Sequence, residues 1–197
     1  MTKPLPIIID TDPGQDDAVA ILLALASPEF EVLGITAVAG NVPLALTEIN
    51  ARKICELAGR PEIKVFAGAV RPLLRPLVTA EYVHGQTGLD GPVWPEPKMP
   101  LQKQHAVDFI VETLMTHEAG TITLCVLGPM TNIALALIIL LTTIFVESPS
   151  PGLPRASSAS SRWAAGSLKA GIRLRRRNST SMWTRMRRGP CLMPTFR

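Results

Sequence analysis

Four aspartates, Asp10, Asp12, Asp16 and Asp17, fall within eight residues, with Pro13-Gly14 between the second and third. Carboxylates packed that closely repel one another, and a counter-cation is the natural resolution. Their hard oxygens suit Ca²⁺ or Mg²⁺ rather than zinc. A cation held there would lower the pKa of a bound water, and a neighbouring carboxylate could take the proton. Helix capping is the competing account, since acids are favoured just before and within a first helical turn. Capping accounts for one or two of the four and leaves the rigid Pro-Gly turn unexplained. Most other polar residues have two readings each. Asn41 is a strand-end turn residue or a site residue. His84, beside Gly85, reads on its own as an exposed loop histidine. Thr131 and Asn132 are first-turn helix residues or site residues. Tyr82 and Trp94 are loop anchors or stacking platforms.

The elements that must position these residues alternate between strand and helix patterns. Pro6-Ile7-Ile8-Ile9 is too short for a helix and reads as a buried strand. It runs into the acidic segment, after which Asp16 to Ala26 has helical spacing in Val19, Leu22, Leu23 and Leu25. Phe30 to Val38 is a second strand, Leu44 to Leu57 a helix ended by Gly59, and Ile63 to Phe66 a third strand. Residues 69–103 are rich in Pro and Gly and form a long loop. His105 to Met115 is a helix, Thr121 to Val126 a strand, and Gly128-Pro129 opens a last helix through Leu137. This order predicts an α/β fold, an open, mostly parallel sheet with helices on both faces. Sites in such sheets lie beyond the carboxyl ends of the strands.

Composition divides the 197-residue chain. Residues 1–137 hold 9 Lys+Arg against 15 Asp+Glu, a balance of −6, whereas 138–197 hold 11 against the single acid Glu147, a balance of +10. Ser27 is the only serine before position 138, and nine follow. Ile133 to Val146 is nearly unbroken in apolarity but shorter than the roughly 20 residues of a membrane span. Residues 148–197 show neither period and read as disordered. Cys55, Cys125 and Cys191 are odd in number and far apart, which disfavours a disulfide framework and fits a cytoplasmic protein. The early Asp10 and Asp12 argue against a secretory leader.

Asp10-Thr11-Asp12-Pro13-Gly14-Gln15-Asp16-Asp17-Ala18 resembles the DxDPGxDDA signature of the inosine-uridine preferring nucleoside hydrolases. The resemblance continues, in order, through Val38-Ala39-Gly40-Asn41-Val42, His84-Gly85-Gln86-Thr87-Gly88-Leu89 and Leu127-Gly128-Pro129-Met130-Thr131-Asn132-Ile133-Ala134. It implies a Rossmann-like nucleoside hydrolase fold and Ca²⁺-assisted hydrolysis of an N-glycosidic bond to ribose and free base. It implies Asp12, Asp17 and the carbonyl of Leu127 as calcium ligands, with Asp12 also the general base. It implies Asp16 and Asn41 as ribose-hydroxyl contacts, Asp10 as a supporting carboxylate, and His84 as part of a loop that closes over the nucleoside. It further implies a small-molecule nucleoside partner, homo-oligomers, and neither nucleic acid nor membrane as a partner. The chemistry suits the residue types: loss of the base develops positive charge on the sugar, which carboxylates stabilise.

Two other functions compete. Ile8-Ile9-Asp10-Thr11-Asp12 also resembles the opening of the haloacid-dehalogenase phosphohydrolases, with Asp10 as nucleophile. Gly14 stands where that family has Thr or Val, and Asp16-Asp17 has no role there. A basic-tailed binder of nucleic acid or a membrane surface would use Arg173, Arg175, Arg176, Arg177, Arg185, Arg187 and Arg188. Reading frame gives the tail a different origin. Codons built from the last base of one codon and the first two of the next force Val at Met182-Trp183, Asp at Trp183-Thr184, Gly at Trp163-Ala164 and Ala at Met193-Pro194. With synonymous choices elsewhere, Asn178 to Arg188 becomes EFNIYVDPDAA and Pro154 to Gly166 becomes APRIQRIVAMGGG. Both strings resemble the family's next blocks. The expectation is a one-nucleotide frame error between about Leu137 and Leu153, leaving 138–197 out of frame. The family's Glu-Phe-Asn block and its later His-Asp pair would then be missing, with activity weak or absent and solubility poor.

Overall fold

The computed structural model describes residues 3–91, 93–147 and 174–176, with only the backbone described for 144–147 and 174–176. Strand β1 (Leu5–Thr11) lies at the centre of a parallel sheet. Helix α1 (Gln15–Ala26) leads to β2 (Phe30–Ala37), and α2 (Leu44–Leu57) leads to β3 (Val65–Ala67). A short α3 (Glu81–His84) interrupts the long loop, followed by α4 (Ala106–Thr116), β4 (Thr123–Val126) and α5 (Thr131–Glu147). The strand order is β3-β2-β1-β4-β5, with β5 (Leu174–Arg176) parallel to β4. The chain thus builds outward from β1 on one side and then crosses to the other. That reversal opens a crevice at the carboxyl ends of β1 and β4.

Alternation along β1 explains the two cores. Ile7 and Ile9 pack with Ile21, Leu25, Ile35, Ile54 and Val65 beneath α1 and α2. Ile8 points the other way, into Val107, Ile110, Leu124 and Ile133 beneath α4 and α5. A strand buried on both faces carries a continuous apolar run, and Pro6-Ile7-Ile8-Ile9 is that run. On the second face Phe66 and Phe109 stack with ring centroids 3.9 Å apart. Gly34 leaves them room, because a Cβ there would stand 2.9 Å from Phe109. Helix α2 ends at Gly59, whose φ of +69° turns the chain while Arg60 N–H bonds back to the Cys55 carbonyl.

Several expected boundaries move. The third strand is Val65–Ala67 rather than 63–66, because Ile63 drops into the first core instead of pairing. His105 is the N-cap of α4, its Nδ1 accepting from Val107 N–H at 3.2 Å, rather than its first helical residue. The last helix does not stop at Leu137 but runs on to Glu147. Residues 131–147 contain neither Gly nor Pro, and the first breaker is Pro149. The tail expected to be disordered contains β5, and its remaining residues lie outside the described ones. Among the described residues no helix is long and apolar enough to cross a membrane.

Ile8 is fully buried at the centre of the sheet. Ile8→Ala should cost about 2–5 kcal/mol in urea denaturation, whereas Leu23→Ala on the exposed face of α1 should change stability by under about 0.5 kcal/mol.

Candidate active site

The crevice gathers the acidic cluster. Asp10, at the end of β1, is fully buried. Its Oδ1 accepts from the Thr36 hydroxyl at 2.6 Å and from Asn132 Nδ2 at 2.8 Å, while Oδ2 has no partner among the described residues. Two residues on, Asp12 is 6 % exposed. Its Oδ2 accepts from Asn41 N–H at 2.7 Å, and Asn41 Nδ2 donates to the Asp12 carbonyl at 2.9 Å. Asp17, in the first turn of α1, accepts from Gly14 N–H at 3.1 Å and lies 3.5 Å from Asn41 Nδ2. Asp17 therefore does cap its helix while also joining the cluster. Asp16 stands exposed on the same turn. Leu127 closes the crevice from β4, its N–H donating to the Asp10 carbonyl at 2.8 Å. A Cβ at Gly40 or at Gly128 would overlap the Asp12 carboxylate, so two glycine backbones enclose it.

Burial without counter-charge shows in the proton affinities. Burial pushes Asp10 up to about 6, against the pull of its bonds from Thr36 and Asn132. Burial, with the charge of Asp17 adding to it, pushes Asp12 up to about 7. Asp17 is also raised, chiefly by burial. None of the three forms an ion pair with a side chain among the described residues. The oxygens of Asp12 and Asp17 with a strand-end carbonyl are a hard donor set of the kind that suits a cation such as Ca²⁺. Among the described residues, however, no three acidic, histidine or cysteine side chains converge closely enough to hold a metal by themselves.

His84 reaches the cluster from α3. Its ring edge lies over Gly14, where a Cβ would stand 2.7 Å from Nδ1 and 3.1 Å from Asn41 Nδ2. Asn50, from α2, anchors the following block by donating to the carbonyls of Pro13 at 3.2 Å and Thr87 at 2.8 Å. Sequence reasoning misses Asn50, because it sits mid-helix with no motif around it. Asn132 had two readings, and the structure makes it a buried strut. It donates to Asp10 and to the Ala37 carbonyl at 3.1 Å, and accepts from Ala69 N–H at 2.8 Å. Asp10 itself, sealed in and already bonded, is poorly placed to attack a phosphoryl group, which counts against the phosphohydrolase alternative.

Asn132→Leu should therefore strand the Ala69 N–H and the Ala37 carbonyl and cost about 3 kcal/mol or more in urea denaturation. The carboxyls also set a pH dependence. Asp10 and Asp12 bind protons more tightly folded than unfolded, where the ordinary value is 3.8. Their contribution to stability is thus greatest below about pH 4 and is lost as pH rises through 6 to 7. Each carboxyl can account for a loss of up to about 1.4 kcal/mol for every pH unit crossed in that interval. In EDTA, Tm should fall between about pH 5 and pH 8, and fall less in Asp12→Asn. A Tm that climbs over that interval in both proteins contradicts the assignment.

The comparisons with known proteins agree with this geometry. A profile of the inosine-uridine preferring nucleoside hydrolases matches residues 7–140. An uncharacterised protein of Schizosaccharomyces pombe is 59% identical over 133 residues, covering 68% of this chain and 43% of its own length. The pyrimidine-specific ribonucleoside hydrolase RihA of Photobacterium profundum is 50% identical over 132 residues, covering 67% of this chain and 42% of its own. Among solved structures, a plant nucleoside hydrolase superposes with a TM-score of 0.63 at 38% identity, over 70% of this chain and 43% of that one. A purine-preferring ribonucleoside hydrolase from Gardnerella vaginalis gives 0.64 at 33% identity, over 72% and 45%. The chain thus spans less than half the length of these relatives. Within that span, it belongs to the inosine-uridine preferring nucleoside hydrolase family.

Proposed function

We propose that this chain carries the water-activating half of a ribonucleoside hydrolase, cleaving the N-glycosidic bond of purine or pyrimidine ribonucleosides to ribose and free base. The observation that carries the reading is the buried pair Asp12 and Asp17, bridged by Asn41 and left without a cationic side chain at the switch point of the sheet. Asp12, Asp17 and the Leu127 carbonyl would hold Ca²⁺, whose chemistry when bound is to acidify water. Asp12, a buried carboxylate beside that water, would take its proton. Asp16, exposed at the rim, and Asn41 would bind ribose hydroxyls and so orient the sugar. His84 would cover the bound nucleoside, and Asp10 would support Asp12 from beneath.

The tail belongs to the same proposal. The family match runs to residue 140, and beyond a frame error before about Leu153 the tail is the family's continuation read one nucleotide out of frame. The four forced codons support this, since they do not depend on synonymous choice. The Ser/Arg composition then carries no functional meaning, and this chain lacks part of its calcium shell and ribose clamp. Free thiols at Cys55 and Cys125 favour a reducing, cytoplasmic setting, and the family's homo-oligomers are carried over on resemblance alone.

Ribose release from inosine and uridine, with Ca²⁺ and with EDTA, tests the reading on this chain and on one restored to the alternative frame from the source DNA. The restored chain should release ribose in Ca²⁺, lose it in EDTA, and lose at least about a hundredfold in kcat on Asp12→Asn. The 197-residue chain should show little or none. Hydrolysis of p-nitrophenyl phosphate without nucleoside cleavage would overturn it.

A further inference from the structure

Gln15 is the one exposed, uncharged residue of the acidic block, and it caps no helix. Its side chain instead reaches 69 residues along the sequence to His84 and makes two contacts with it. Gln15 Nε2 donates to the His84 carbonyl at 3.2 Å, and Gln15 Oε1 lies 2.6 Å from His84 Nδ1. The pair determines its own hydrogen positions. A backbone carbonyl can only accept, so the amide NH₂ must face it. That turns the amide oxygen toward the ring, and an oxygen can only accept from Nδ1. His84 Nδ1 must therefore carry the proton, leaving Nε2 of the neutral ring with its lone pair.

We infer that Gln15 is a positioning residue that holds the 81–84 segment against the site and fixes His84 as the Nδ1–H tautomer, so that the ring offers a substrate hydroxyl an acceptor rather than a donor. The significance for nucleoside rests on the proposed function, whereas the tautomer and the tether do not. The tether acts on a segment otherwise held by few bonds. Ala80 N–H donates to the Asn41 carbonyl at 2.8 Å, and Asn50 holds Thr87 beyond the turn. Gly14 is part of the same device, because any side chain there would displace the ring. Free imidazole prefers the opposite tautomer, so the effect of Gln15 is visible against the ring's own preference.

The test is long-range ¹H–¹⁵N correlation of the histidine rings in the full 197-residue chain at about pH 8. His105 gives an internal reference, since its Nδ1 accepts from Val107 N–H and must be unprotonated. Wild-type His84 should show Nδ1–H, opposite to His105. Gln15→Leu should move it toward Nε2–H and speed amide exchange in the 81–84 segment about fivefold. Gln15→Glu keeps an acceptor for Nδ1–H and should retain the wild-type tautomer while losing the bond to the His84 carbonyl. An Nε2–H ring in the wild type, or a tautomer unchanged in Gln15→Leu while the His105 signal reports a folded chain, overturns the inference. Failure of this inference is distinct from failure of the hydrolase. A tautomer switch in a restored-frame chain that cleaves no nucleoside sinks the hydrolase and keeps the Gln15 role. Nucleoside cleavage with the same kcat and KM, and the same His84 tautomer, in Gln15→Leu does the reverse.

Discussion

Carboxylates crowded into a nearly dry crevice are the constraint from which the local architecture follows. Burial opposes ionisation of Asp10, Asp12 and Asp17, repulsion from neighbouring carboxylates adds to it at Asp12 and Asp17, and no basic side chain among the described residues forms an ion pair with them. What the fold supplies is hydrogen bonding: the Asn41 and Gly14 N–H groups, the Thr36 hydroxyl and the Asn132 amide. Each of these donors comes from a different part of the chain, so keeping the carboxylates in place ties β1, β2, α1 and α5 together. Glycines at 40, 68 and 128 exist in this arrangement because the donors and carboxylates occupy the space a side chain would take.

The sheet explains why the cluster forms where it does. β1 is hydrogen-bonded to both halves of the switch, with β2 on one side and β4 on the other. Its carboxyl end therefore faces the place where neighbouring crossovers diverge, and polar side chains can converge there from both directions. The apolar run that buries β1 on both faces is what allows an acidic segment to be held rigidly at its end. A cation, if bound, would join groups from β1, α1 and the β4 exit, and its binding energy would act on both sides of the sheet.

Much of this was legible in the chain. The sheet class, the continuous apolar β1, helix α2 at 44–57 and the position of the acidic cluster follow from periodicity and from residue type. Element ends were less legible, because tertiary pairing decides them: Ile63 looks like strand but is drawn into the core, and α5 continues while nothing stops it. Site residues with distinctive chemistry, such as Asp12 and Asp17, stood out. Asn50 did not, since an asparagine inside a helix looks like a neutral surface residue until two carbonyls from distant segments are found against it. Gln15 was invisible for the same reason, its partner lying 69 positions away. The aspartates signal their role by repelling each other, whereas struts and tethers signal theirs only through partners brought close by folding.

Above all, burial beside Asp17 holds the Asp12 carboxyl well above the usual carboxylate range, so that a bound cation would displace a proton from it. Calorimetric titration of Ca²⁺ into this chain and its restored-frame counterpart near pH 7, in two buffers of different ionisation enthalpy, measures this directly. Calcium binding should release protons, about half of one from Asp12 alone given its value of about 7, and Asp12→Asn should remove that share of the release and most of the affinity. The restored chain should bind more tightly than the 197-residue one. Calcium binding without proton release, or unaltered by Asp12→Asn, would contradict it.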